Sequence, residues 1–388
     1  MRKFLKLAGR ILLVLAVVLA ALGLWKREEV ARLMAVNSLF SEEKIVHNFS
    51  HMGDLFYSLP MSKGDGPASP LPIGAPMALP GGYASWVQER ALTAIVVLKG
   101  GAIRHEAYYQ GTGPEDLRIS WSMAKSFLSV LLGILMEEGA IASLSDPVIK
   151  YAPALAGSAY AKASIEDVLQ MESGVKFNED YLDFWSDINK MGRVLALGRS
   201  MDGFAAGLQE TTRNPGEAWH YVSIDTHVIG MVIRGATGRS IPDLLQEKVL
   251  APLGLEADPY YLSDGHRTAF VLGGLNLRTR DYARFGQMVA QDGAWQGKRI
   301  VSAEWLTAST TPSAKTEPGA EQYGLQWWMP KDGRPGEVYA IGVYGQYIYI
   351  DRAGGVVIAV NAADRKFKEA GVNDAMIAMF RQIAEAAQ

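Results

Sequence analysis

The sequence predicts an α/β chain in which one antiparallel sheet is built from both ends of the domain and flanked by helices, with a mostly helical subdomain between. Three observations carry this. A two-strand hairpin pattern opens the domain, three strand patterns close it, and apolar helical segments broken by glycine and proline fill the middle. Hydrophobic residues make up 49% of the 388, enough for a large core. The formal net charge of −3 excludes a broad basic footprint for nucleic acid, and the absence of cysteine excludes disulfides, thiolate metal sites and a cysteine nucleophile.

Residues 1–27 read as a signal-anchor. Arg2, Lys3, Lys6 and Arg10 precede an uncharged apolar run from Ile11 to Trp25. A helix begun near Phe4 reaches about 33 Å, against a hydrocarbon core of about 30 Å, with Lys6 and Arg10 snorkelling into the interface. Val18-Leu19-Ala20 also fits a cleavage site, which would release a periplasmic protein. Trp25-Lys26-Arg27 favours the uncleaved anchor, and the basic flank places everything after it on the outer, periplasmic side.

Residues 28–80 read as a linker or arm. A short amphipathic helix opens at Ser41-Glu42-Glu43-Lys44 and continues with Ile45, Phe49 and Met52; prolines at 60, 67, 70, 72, 76 and 80 then oppose regular structure. Residues 81–388 form the domain. Thr93–Leu98 and Ile103–Tyr109 flank Lys99-Gly100-Gly101 as a hairpin. A helical block runs from Ser122 to about Gly139. Helical segments dominate from about Ser143 to Trp305. Strands Glu337–Gly342, Gln346–Asp351 and Gly355–Asn361 follow, then a helix from Glu369.

The helical block opens Ser122-Met123-Ala124-Lys125. A serine there caps a helix by default. Its alternative role is a nucleophile, since Ser and Lys at i and i+3 share a helix face and a desolvated lysine can act as base. The pattern alone is weak, because a chain of this composition contains about one S-x-x-K by chance. Ser41-Glu-Glu-Lys44 is a second match, and it reads as a plain helix start. Tyr221-Val222-Ser223 follows an Asn214-Pro215-Gly216 turn and sets a phenol beside a hydroxyl; Tyr83-Ala-Ser and Tyr261-Leu-Ser also match that triplet. No G-x-S-x-G and no H-E-x-x-H occur, so an α/β-hydrolase triad and a zincin metal site lack their signatures.

Longer stretches join these triplets: Leu144-Ser-Asp-Pro-Val148, Leu169-Gln-Met-Glu-Ser-Gly174, Pro252-Leu-Gly-Leu255, and Gly273-Gly274-Leu275 followed by Arg280-Asp-Tyr-Ala-Arg-Phe-Gly286. In order, they resemble the serine β-lactamase and penicillin-recognising hydrolase family over roughly Gly82 to the end. Within it the chain is most similar to class C β-lactamases, related esterases and aminohexanoate-dimer (nylon-oligomer) hydrolases. The resemblance implies a β-lactamase-like fold with no metal or cofactor, and a small-molecule ester or amide as substrate. It makes Ser122 the acylated nucleophile, with Lys125 and Tyr221 as acid/base groups. Tyr181 and Ser223 line the substrate site by the same resemblance, and Gly342 with the Val343 amide stands at the oxyanion strand. The family's Lys-Thr-Gly falls on Ala340-Ile341-Gly342, where only the glycine is kept. Alanine and isoleucine cannot donate to a carboxylate, which argues for short esters over penicillins and cephalosporins. The competing expectations are a true β-lactamase or D-Ala-D-Ala peptidase, and a catalytically silent, membrane-tethered binding protein.

Overall fold

Alternation along the first strand decides how the main sheet is covered. In β1 (Leu92–Lys99), Ile95 and Val97 enter one apolar cluster while Val96 and Leu98 enter another on the opposite face. A computed structural model of the chain describes residues 2–388, without the side chains at positions 2, 3, 16 and 18–22. Six more strands join β1: β2 (Ala102–Tyr108), β3 (Gln322–Tyr323), β4 (Trp328–Met329), β5 (Glu337–Gly342), β6 (Gln346–Asp351) and β7 (Val356–Ala362). Their order is β2-β1-β7-β6-β5-β4-β3, with every pair antiparallel. The two chain ends meet at the β7–β1 ladder, where Val356 lies opposite Lys99. The expected sheet assembled from both ends of the domain is therefore present.

The principal helices are α1 (Arg2–Trp25), α2 (Arg27–Ser38), α3 (Ile45–Ser50), α4 (Met52–Leu55), α5 (Ala124–Glu137), α6 (Asp187–Ala196), α7 (Ser223–Thr237), α8 (Thr279–Ala290) and α9 (Val372–Ala386). On one face of the sheet, α8 packs against β6 and β7, and its Phe285 stacks on Phe127 of α5 at 3.6 Å. On the other face α9 sets Phe380 against Tyr347 and Tyr349, both at 5.3 Å.

A second, four-stranded sheet was not expected; two of its strands come from the region read as mostly helical, one from the 28–80 arm and one from just before Ser122. It runs Ser58–Pro60, Tyr260–Leu262, Leu275–Leu277, Arg118–Ile119, again with antiparallel pairs. None of its strands exceeds three residues, too short for the alternation that identifies a strand from sequence.

That sheet also changes the reading of residues 28–80, which are no loose spacer. Ile45, Phe49 and Met52 are buried in the main core, as are Leu39 and Phe56. The buried Arg32 donates to the Ala196 carbonyl at 2.7 Å, and Arg118 donates to the Val46 carbonyl, Ser50 Oγ and Thr93 Oγ1. Only the proline-rich part after Pro60 lacks regular structure, apart from an isolated bridge between Ile73 and Ile103.

The signal-anchor expected over residues 4–25 coincides with α1 as a continuous helix, though the side chains at 16 and 18–22 lie outside the described residues. Among the described residues, no helix is long and apolar enough to cross a membrane.

Candidate active site

The strand Arg118–Ile119 delivers the chain into a single 3-10 turn, Trp121–Met123, from which α5 springs. Ser122 therefore sits on the turn before the α-helix rather than within its first turn. Trp121 is held at φ +43°, a region that a bulky side chain avoids. Its neighbours hold it there. A Cβ at Gly342 would lie 2.5 Å from the Ser120 carbonyl and 2.9 Å from the Trp121 Cβ, so β5 passes directly against the turn. This is the physical reason for a glycine at that position, and it brings Val343 into the same cavity as Ser122.

Lys125, in the first turn of α5, is buried. Its Nζ donates to Ser122 Oγ at 2.9 Å, to the Leu272 carbonyl at 2.9 Å and to Ser223 Oγ at 3.3 Å. Three acceptors match the three protons of an ammonium; a neutral amine keeps two donations and turns its lone pair toward one hydroxyl. Burial pushes the Lys125 pKa down to about 7, outweighing the pull of the nearby Glu179 and Asp225 carboxyls in the other direction. A neutral amine on the Ser122 hydroxyl is thus accessible near neutral pH.

Tyr221 places its ring 5.4 Å from Lys125 Nζ and packs against Trp328, Tyr323 and Trp219. Burial, with the Glu179 charge, raises its pKa, while the Ser122 and Ser223 hydroxyls beside it act the other way. The phenol therefore stays protonated at neutral pH and is available as an acid. Ser223 opens α7 and is buried.

Glu179 was not anticipated as a site residue. Its carboxylate accepts the Tyr181 hydroxyl at 2.6 Å, the Ser223 N–H at 3.0 Å and the Ser223 hydroxyl, tying two of the expected lining residues together. The signal was in the Asn178-Glu-Asp-Tyr181 segment, where only the tyrosine was singled out. Asp225 was missed as well. It is fully buried, accepts from Tyr160 at 2.7 Å and Ser173 at 2.9 Å, and is pushed by burial to about 8.

The structure thus brings Ser122, Lys125, Tyr221 and Ser223 together, and Tyr181, Gly342 and Val343 border the same place. A cavity of about 300 Å³ opens beside Ser122, with Tyr181, Ser223 and Val343 in its wall. Ala340 joins the core that contains α5, whereas Ile341 packs with the cluster on the opposite face of the sheet. Among the described residues, no group of three or more His, Asp and Glu could hold a metal ion.

A family model described as beta-lactamase matches residues 84–379. The 6-aminohexanoate-dimer hydrolase of Paenarthrobacter ureafaciens is 30% identical over 347 residues, 84% of this chain and 88% of that protein. A proposed 6-aminohexanoate-dimer hydrolase from Bacillus anthracis has the same fold, with a TM-score of 0.79 at 21% identity over 89% of this chain and 95% of that one. The octameric penicillin-binding protein homologue from Pyrococcus abyssi superposes with a TM-score of 0.59 at 19% identity, covering 77% and 76%.

Proposed function

Because the chain belongs to the beta-lactamase family, whose members hydrolyse amide or ester bonds, we propose that it cleaves its substrate through an acyl-enzyme on Ser122. The observation that carries this is Lys125 Nζ at 2.9 Å from Ser122 Oγ, buried and near its neutral form.

In this reading the neutral Lys125 amine takes the Ser122 proton as Oγ attacks the carbonyl carbon. The developing oxyanion receives the backbone N–H groups of Ser122 and Val343. Collapse of the tetrahedral species expels the leaving group, which takes a proton from the Tyr221 hydroxyl. Lys125 returns its proton to the phenolate. Water then enters by the same steps in reverse and frees Ser122. The substrate class favoured is an ester or a linear amide rather than a β-lactam. The name of the Paenarthrobacter relative supports the linear amide, and Ala340, on the sheet face toward α5, offers no donor to a substrate carboxylate.

A fluorophosphonate probe tests this directly. It should label the wild-type chain at one site, and Ser122→Ala should remain unlabelled while folded. Labelling that survives the substitution would place the nucleophile elsewhere, and no labelling of the wild type favours the silent binding protein. Tethering through α1, with the domain on the periplasmic side of the membrane, belongs to the same reading. It is supported by the described apolar side chains of that helix, among them Phe4, Leu12 and Trp25, which are exposed.

A further inference from the structure

Building on the acyl-enzyme reading, we propose that the cavity beside Ser122 is an acyl pocket for a neutral apolar chain, roofed by the chain's own amino-terminal arm, and that it rejects chains ending in an ammonium group. Tyr221 fixes which part of the substrate lies there. It is absent from the cavity wall and stands among Trp219, Tyr323 and Trp328, so a leaving group protonated by it departs on that side. What remains on Ser122 occupies the cavity.

The wall is mainly apolar, with Asn37 and Asn189 among its few polar side chains. Phe40, Met52 and Phe56 come from the arm, and Met191, Phe270 and Leu272 from the domain. Among the described lining residues the one charged side chain is Arg193, whose guanidinium lies 4.3 Å from the Phe184 ring and donates to the Phe184 carbonyl at 2.9 Å.

None of the nearby carboxylates, Glu179, Asp180 and Asp183, lines the cavity, and each accepts hydrogen bonds from its own surroundings. Asp180 accepts the Leu182 N–H, Asp183 accepts the Trp185 N–H, and Glu179 holds Tyr181 and Ser223. An ammonium carried into this pocket would meet a cation and no carboxylate in the wall, so its lost hydration goes uncompensated. A methyl end has no such cost, and each methylene buried favours binding about three- to fourfold.

The test uses the full chain and the p-nitrophenyl esters of acetate, butyrate, hexanoate, octanoate and 6-aminohexanoate. Expected are a kcat/KM that climbs from acetate to hexanoate and a 6-aminohexanoate value at least about tenfold below that of hexanoate. A binding measurement stands apart from turnover: calorimetric titration of Ser122→Ala with hexanamide and with 6-aminohexanamide, where only the former should bind. A flat ester series, equal affinity for the two amides, or no binding of hexanamide overturns the acyl pocket. If the two amides are discriminated but no ester is hydrolysed, the acyl-enzyme reading fails and the pocket stands.

Discussion

Lys125 is the residue on which the chemistry turns. Its amine must be neutral to accept a proton, so the acylation rate should rise through pH 7 and level off above about pH 8, measured as fluorophosphonate labelling against pH. Lys125→Ala should lower that rate by at least about 10²-fold while the chain stays folded by circular dichroism. Because burial depresses the folded-state pKa from 10.5 to about 7, the unfolded chain binds more protons between those values. The amine's destabilising effect is therefore full below pH 7 and fades as pH rises toward 10.5. Glu179→Gln removes a negative charge that holds the lysine pKa up and sets an amide donor against Ser223. It should cost about tenfold in rate and move the acidic limb of the profile to lower pH. A purely structural glutamate would leave that limb in place. Spacing made the Ser–Lys pair legible, because three residues is a fixed geometry on a helix. Nothing in spacing relates Glu179 to Ser223, which only tertiary folding brings together.

At the level of elements, the site depends on contacts that no local pattern encodes. Gly342→Ala should destabilise the chain by about 1–3 kcal/mol, because its Cβ meets backbone that cannot yield, and should also slow labelling by shifting the Ser122 turn. Denaturant unfolding and labelling read the two effects separately. The arm makes a second case. Phe49 is fully buried and packs edge-on against Trp121 at 5.6 Å, so Phe49→Ala should cost about 3–5 kcal/mol in urea unfolding. A spacer would tolerate that change within experimental error. Reading residues 28–80 as an arm rested on six prolines, which describe the stretch from Pro60 onward well. The amphipathic helix before them carries its apolar face at helical spacing, but a sequence does not say which surface receives it. Strands of five or more residues were read from alternation; the second sheet was lost because its strands are two or three residues long.

Across the whole molecule, the order of parts was legible because chain order survives folding, whereas the closeness of the arm to Ser122 was not. With the basic residues at the amino-terminal end of α1, ahead of its apolar run, a carboxyl-terminal alkaline phosphatase fusion should be active and a β-galactosidase fusion inactive; the reverse pattern would falsify an outward-facing domain.

The meeting of the two chain ends in one sheet has a consequence for biogenesis. β1 emerges from the ribosome early, yet its neighbour β7 is among the last segments made, and most of the chain must be synthesised before they pair. Until then β1 and β2 form a hairpin whose exposed edge has nothing to close it, and such a pair is marginal alone. The domain thus cannot complete its sheet on the ribosome before translation is nearly finished. That delay suits a polypeptide threaded unfolded through a translocon, because no finished sheet would block its passage. It also leaves an open strand edge in any polypeptide truncated before Val356, a template for aggregation that a quality-control protease would meet first.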